Sequence, residues 1–501
     1  MAQFVTLDLS NLKPLHEMNE RMVSYNVEMT EVTGGTFWKA YTEAQIDGTE
    51  QVPPPDFSKG LAAMHQWYDP IDTTNPRLIK LAKDLGPAWI RVSGTWATKT
   101  YYDFEDTGVV PEGYQNRLTK QQWLNLLDFV KAVGGKLLIS VANCEGLHSA
   151  EEPWNPSQAE MIFALSKAHG VPIDAVEFTN EPNMMEGTGF PKGYTAAHFR
   201  RDQDLFHKWV RENYPDCMIV GPCTCDPEAL SGGKKDTSGG AGIADILPSC
   251  TTADLMDGCT EKLDVFSYHY YNGVSERMAA LCPSMYTPAE EAMSESYLGM
   301  AGFCAKAFAP YRDKYCPGGE MWVTESGDVG AGGHTWASTY LEVPRTLNEF
   351  GVFSQVTNGA IFHNTLASSD YGYLKHGTFV PRPSYFAALL WNTLMGPQVY
   401  DPGIPQEEGK HVYCHSRKDA QEGCVFLVIN TSWTEPTTVT LPRDAVRYTL
   451  TGDSKMRSRK MLLNGKALEL GENDALPELT GETQQAGQVE LAPGSCTFFV
   501  L

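Results

Sequence analysis

The chain has 501 residues, of which 42% are hydrophobic, 20% charged and 11% aromatic, enough for a large domain and a smaller one. Its formal net charge of −23 opposes nucleic-acid phosphates and anionic membranes, and no run approaches the ~18 apolar residues of a membrane span. The N-terminus, Met-Ala-Gln-Phe-Val-Thr-Leu-Asp, lacks a basic segment followed by an apolar one, so a cytoplasmic protein is expected, and its 12 scattered cysteines read as reduced structural thiols. Cys223-x-Cys225 is too tight for a zinc knuckle, and no metal or organic cofactor is implied.

Gln3 to Leu9 alternates and predicts a strand, as does Met22 to Met29, which places Glu28 at a strand end. Helices are expected over Pro76 to Leu85, Gln121 to Val133, Ala159 to His169, Ala196 to Tyr214, Ser296 to Tyr311, Thr335 to Phe350 and Arg382 to Met395. Between them run the strands Pro87 to Thr95, Lys136 to Ala142, Val176 to Phe178, Met218 to Pro222, Leu263 to Tyr271, Met321 to Thr324 and Gly359 to Asn364. Helix and strand alternate with short connections, close to eight times, which predicts a (β/α)8 barrel. The Gly/Ser/Lys loop Ser231 to Gly242 lacks the spacing of a phosphate cradle. After Gly396 the pattern turns to short strands over Val412 to His415, Cys424 to Asn430, Thr437 to Leu441, Arg447 to Thr451, Leu468 to Leu470, Val489 to Leu491 and Thr497 to Val500. The expected division is residues 1–20 as a strand completing a β-domain, 21–396 as the barrel and 397–501 as a β-sandwich.

Two stretches share one design. Ala175 to Asn183 reads Ala-Val-Glu-Phe-Thr-Asn-Glu-Pro-Asn, and Pro182 ends the strand so that Asn180 and Glu181 stand at its carboxyl end. Downstream, Met-Trp-Val-Thr-Glu-Ser-Gly brings Glu325 to the end of a second apolar run. In a parallel barrel that rim carries catalytic groups. Two carboxylates there suit glycoside cleavage, one protonating the leaving oxygen and the other attacking the anomeric carbon. An aldolase would need a lysine at a strand end, and none is found there.

With both glutamates in place the chain resembles the heparanases and β-glucuronidases of glycoside hydrolase family 79, clan A, as a bacterial-type cytoplasmic member. The likeness is carried by Leu7 to His16, Leu81 to Thr95, Asn180-Glu181-Pro182-Asn183, His269-Tyr270-Tyr271, Thr324-Glu325-Ser326, Pro383 to Trp391, and Leu462 to Lys466 through Phe498 to Val500. It implies a retaining β-glycosidase with Glu181 as acid and then base and Glu325 as nucleophile. That division requires Glu181 to hold a proton near neutral pH and Glu325 to be ionised. Asn180 would bond the sugar 2-hydroxyl, Tyr270 would donate to the nucleophile, and Glu28, Thr95 and His269 would line the sugar site. Ser368, Ser369 and Tyr371 fall on the loop that holds the carboxylate of glucuronic acid.

That loop departs from the family's pattern. Glycines are replaced by Ser368 and Ser369, an asparagine by Asp370, and an arginine by His363. Backbone N–H groups survive the serines, and a serine hydroxyl adds a donor, but Asp370 would repel an anionic sugar. The expected activity is hydrolysis of β-glucuronides. The alternatives are a β-glucosidase or diglycosidase acting on plant flavonoid glycosides, or a non-catalytic sugar-binding protein. Tyr101 to Gln122 is too short for an excised linker, so no proteolytic activation is expected. Lys192, Arg200, Arg201, Lys234 and Lys235 are too few basic rim residues for heparan sulfate, leaving a small or oligomeric β-glycoside as the expected partner. The sequence is compatible with a homo-oligomer.

Overall fold

The computed structural model describes residues 3–225 and 249–501. The loop Ser231 to Gly242, with Lys234 and Lys235, lies outside the described residues.

Eight parallel strands close into a barrel. In chain order they are β1 (Val23–Glu28), β2 (Trp89–Ser93), β3 (Lys136–Ser140), β4 (Ala175–Glu177), β5 (Met218–Thr224), β6 (Val265–Tyr271), β7 (Glu320–Gly327) and β8 (Ile361–His363). Each pairs with its sequence neighbour, and β8 pairs with β1 to close the ring.

Strand periodicity sorts the side chains into two cores. Trp89, Leu138, Ala175, Val220, Val265, Trp322 and Phe362 form a plug inside the barrel, with the Trp89 and Trp322 rings 4.9 Å apart. The intervening residues, such as Ile90, Val176, Phe266 and Val323, face the helices. The helix Pro76–Leu85 shows how the outer ring is set: Asn75 accepts from the N–H groups of Arg77 and Leu78, Pro76 fills the first turn, and Leu78, Leu81, Ala82 and Leu85 are buried.

Several boundaries move. The helix expected from Thr335 starts at Glu342 and runs to Val356, because Pro344 is tolerated only in a first turn. The helix expected from Ser296 is the short Glu295–Leu298 followed by Met300–Tyr315. The strand carrying Glu325 continues through it to Gly327, so that glutamate is inside the strand.

The C-terminal part holds a nine-stranded sheet and a three-stranded sheet. Gln3–Thr6 pairs in parallel with Thr437–Leu441. A second N-terminal strand, Lys13–Glu17, joins Met395–Asp401 on the large sheet, and neither of these was apparent from the residue pattern. Val5, Leu7, Val412, Phe426, Val439, Leu491 and Phe499 fill the space between the two sheets. No disulfide forms among the described residues, and no helix among them is long and apolar enough to cross a membrane.

Candidate active site

Immediately above the aromatic plug, the next inward position of β2 is Arg91, with no exposed surface. A fixed positive charge there requires partners. Its Nε donates to Glu177 at 2.8 Å, NH1 to Glu325 at 3.2 Å and NH2 to the Asn180 amide oxygen at 2.8 Å. Two carboxylates hold the guanidinium firmly protonated in spite of burial. The planar fork thus ties β2 to β4, to the segment after β4 and to β7. Because a guanidinium only donates, the Asn180 oxygen is turned towards it, leaving the amide NH2 as the donor at the barrel mouth.

The same logic fixes His269 on β6. Arg91 NH2 lies 3.2 Å from His269 Nε2, which therefore accepts. Its Nδ1 then carries the proton that faces Glu181 Oε1 at 3.0 Å. Glu181 follows the end of β4 in a left-handed conformation, φ 44°, sparsely populated by non-glycine residues. An oxygen of Glu181, a nitrogen of His269 and an oxygen of Glu325 all lie within 4.8 Å of one another. A cation would fit that trio by spacing, but Arg91 already sets a permanent positive charge against Glu325 and His269.

Glu325 is held on both oxygens. Oε2 receives Arg91, and Oε1 receives the Tyr271 hydroxyl at 2.6 Å and the Asn364 amide at 3.3 Å. The tyrosine differs from the expected one. Val265, Ser267, His269 and Tyr271 alternate inwards, so Tyr270 points outwards with Phe266 and Tyr268, among the residues packed against Phe308 and the helices. The Tyr270 hydroxyl donates to Asn272 at 2.5 Å and does not reach the nucleophile position.

Acidic groups crowd one side of the mouth. Glu28 ends β1 and is buried. Burial, then the nearby Glu325, push its carboxyl well above the ordinary range, with Arg91 opposing. Glu31 accepts the Glu28 N–H at 2.7 Å, and burial raises it to about 7. Glu181 moves the other way: burial raises it, but the His269 hydrogen bond, with Arg91, brings it below the ordinary value. The proton expected on Glu181 is therefore disfavoured in this arrangement, because the imidazole N–H stabilises the carboxylate. Thr95 is half-buried just beyond β2.

The loop after β8 is built largely from internal bonds. Ser368 N–H donates to Thr365 Oγ1 at 2.7 Å, and Ser369, at φ 58°, donates its hydroxyl to the Gly332 carbonyl at 3.0 Å. The Ser369 hydroxyl is thus committed to the protein rather than to a ligand. Arg382 donates to the Ser369 and Gly372 carbonyls at 2.7 and 2.9 Å. Tyr371 is buried with its hydroxyl 3.1 Å from Asn364 Nδ2, its ring stacked at 6.4 Å on Tyr271. Asp370 pairs with Arg277 at 3.0 Å and accepts the Tyr41 N–H at 3.2 Å, so its charge is opposed within the protein. His363 lies flat on Tyr373 at 3.8 Å and donates Nε2–H to the Tyr371 carbonyl at 2.6 Å; burial lowers it to about 3, and it carries no charge at neutral pH.

The structure brings Glu181, Glu325, Asn180, His269, Glu28 and Tyr371 to one mouth and sends Tyr270 elsewhere. Arg200 and Arg201, expected on rim loops, lie on the helix Ala196–Asn213, with Arg200 bonded to the Asp254 carbonyl and Arg201 paired with Asp202. Arg91, Glu177, Tyr271, Arg277 and Asn364 were not singled out from the sequence. The first two had a signal: opposite charges placed mid-strand in apolar runs, where neither is stable alone.

No protein-family model matches the chain. Among curated relatives, baicalin-β-D-glucuronidase from Scutellaria baicalensis is 28% identical over 468 residues, covering 85% of this chain and 83% of that protein. Heparanase-like protein 1 from Arabidopsis thaliana is 25% identical over 415 residues, 79% of this chain and 70% of its own. Hyaluronoglucuronidase from Hirudo nipponia is 24% identical over 479 residues, 86% and 90%. Among solved structures, a 4-O-α-L-rhamnosyl-β-D-glucuronidase from Fusarium oxysporum aligns with a TM-score of 0.63 at 14% identity, over 99% of this chain and 100% of that one. A GH51 arabinofuranosidase from Xanthomonas axonopodis aligns at 0.60, with 14% identity over 99% of each chain. At that identity the likeness shows the fold.

Proposed function

From a chain that belongs to the family 79-like glycoside hydrolases, of the heparanase and β-glucuronidase type, we propose a retaining β-glucuronidase in which Glu325 is the nucleophile and Glu181 the acid/base. The observation that carries it is the approach of the Glu181 and Glu325 carboxylates to within 4.8 Å. Retaining enzymes hold their carboxyl groups ~5–5.5 Å apart, whereas inverting ones leave ~6.5–9.5 Å for a water.

Glu325 attacks the anomeric carbon, with Arg91 and Tyr271 aiming its carboxylate. Glu181 gives its proton to the glycosidic oxygen as the bond breaks. In the second half-reaction Glu181 takes a proton from water, which attacks the glycosyl–Glu325 ester and returns the sugar with its original configuration. Glu181 must be protonated for the first step. Substrate binding promotes this by excluding water from a carboxylate that burial already disfavours. Asn180, its oxygen held by Arg91, offers its NH2 to the 2-hydroxyl.

Three relatives bear glucuronidase or heparanase names. The repulsion expected from Asp370 is weakened by Arg277, which supports an anionic sugar on the Ser368 to Tyr371 loop. A second reading, a β-glucosidase, is favoured by the acids Glu28 and Glu31, the latter bonded to Thr365 and Ala367 of that same loop, and by the uncharged His363. A matched assay of aryl β-glucuronide and aryl β-glucoside decides between them, and NMR of the first-formed anomer tests retention. Brisk glucoside release without glucuronide release overturns the sugar and spares the mechanism.

A further inference from the structure

The acid/base of a glycosidase stands on the leaving-group side of the scissile bond, so the side chains around Glu181 form the subsite for the departing group. The chain turns directly after it: the Met184 N–H donates to the Glu181 carbonyl at 3.0 Å. Met184 is half-buried and packs into an apolar cluster with Phe37, Trp38 and Met64, which also contains Tyr271 and Tyr371. Apolar packing is therefore continuous from the tyrosines at the catalytic carboxylates to the half-buried Trp38 and Met184.

Phe37 and Trp38 come from a two-stranded antiparallel ribbon after β1, Gly35–Trp38 paired with His65–Tyr68. Two contacts fix its position, while within it His65 meets the Trp38 ring edge-on at 4.6 Å. Trp96 Nε1 donates to the Thr36 carbonyl at 3.0 Å. A Cβ on Gly332 would lie 2.4 Å from the Trp38 Cβ, so this wall fits closely against the segment that accepts the Ser369 hydroxyl.

Arg277 and Lys99, near this wall, are otherwise engaged, and the exposed Lys39 beside Trp38 is a single cation rather than a row. Arg277 lies over the Tyr41 ring at 3.7 Å, pairs with Asp370 and donates to the Ala331 and Gly333 carbonyls. Lys99 lies over the Trp96 ring at 4.5 Å. A polyanionic leaving chain would need a row of outward-facing cations; aromatic rings and thioethers instead suit a flat apolar group.

Resting on the reading of Glu181 as acid/base, we propose that the leaving-group subsite takes a flat aromatic aglycone, with Trp38 and Met184 as its specificity-determining residues. The substrate class is then an aryl β-glycoside rather than a polysaccharide.

The test compares 2-naphthyl with phenyl β-glucuronide, whose phenols leave with similar ease, and repeats the pair as β-glucosides. An extra buried ring corresponds to about a tenfold gain in kcat/KM. Wild type is expected to prefer naphthyl by about that factor, and the preference to fall towards one in Trp38→Ala and Met184→Ala, both checked for folding by thermal melts. A naphthyl-to-phenyl ratio near one in wild type, a ratio unchanged in both variants, or faster cleavage of a uronyl disaccharide overturns the proposal. Turnover of the glucosides alone strikes the sugar assignment while the aglycone ratio is still read. No turnover of either pair overturns both.

Discussion

Gly94 and Glu28 occupy the same space: a Cβ on the glycine would lie 1.6 Å from Glu28 Oε2. The glycine follows β2 at φ 89°, a conformation that side chains rarely adopt, and this lets the Glu28 carboxyl close over the turn beside Glu325. Gly94→Ala is therefore expected to displace Glu28 and to destabilise the fold by about 1–3 kcal/mol. Activity should fall with it. Repeating the substitution in a Glu28→Ala background separates clash from backbone strain: a smaller loss there, read by thermal melts, is the expected coupling. Equal losses in both backgrounds would show that the contact contributes nothing.

Tyr271→Phe and Tyr270→Phe should part company. The first removes the hydroxyl 2.6 Å from Glu325 Oε1, a bond to a charged group worth about 1.5–3 kcal/mol, or about 10- to 100-fold in kcat. The second removes a bond to Asn272 in the barrel–helix core and should lower the melting temperature with little change in kcat. Equal kcat losses would refute the assignment.

That pair also marks how far the residues could be read in advance. The alternation of apolar runs and amphipathic helices was enough for the barrel, because each βα unit carries its own periodicity. Glu181 could be placed at a strand end because Pro182 interrupts the strand locally. Strict alternation along Leu263 to Tyr271 already forbids His269 and Tyr270 from sharing a face, so Tyr271 was legible too. The pairing of Arg277 with Asp370 was not, because it depends on loops after β6 and β8 meeting across the rim. Nor was Met395–Asp401, where Gly396 and Pro397 disguise a strand that leaves directly from a helix.

Arg91 tests whether the buried fork serves stability or chemistry. Arg91→Met leaves Glu177 buried without its ion-pair partner and should cost about 3–5 kcal/mol. Adding Glu177→Met removes the stranded charge and should recover much of that stability. Activity should stay low, because Glu325, Asn180 and His269 have lost the group that orients them. Recovery of kcat along with the melting temperature would reduce Arg91 to a structural role.

The final expectation concerns pH. A general acid works only while protonated, so kcat/KM falls as pH rises through the free-enzyme pKa of Glu181. Burial raises that pKa, but the His269 bond and Arg91 depress it below the ordinary value, so the falling limb belongs in the acid range. His269→Phe removes the Nδ1–H donor. The depression should shrink and the limb should move to higher pH, even though the maximum rate drops. The stability effect has the opposite dependence. A carboxylate with a depressed folded pKa adds stability above its unfolded value and loses it as pH falls, so wild type should lose its melting-temperature advantage over His269→Phe on acidification. A limb that stays in place, or moves down, would mean that His269 does not set the proton affinity of Glu181.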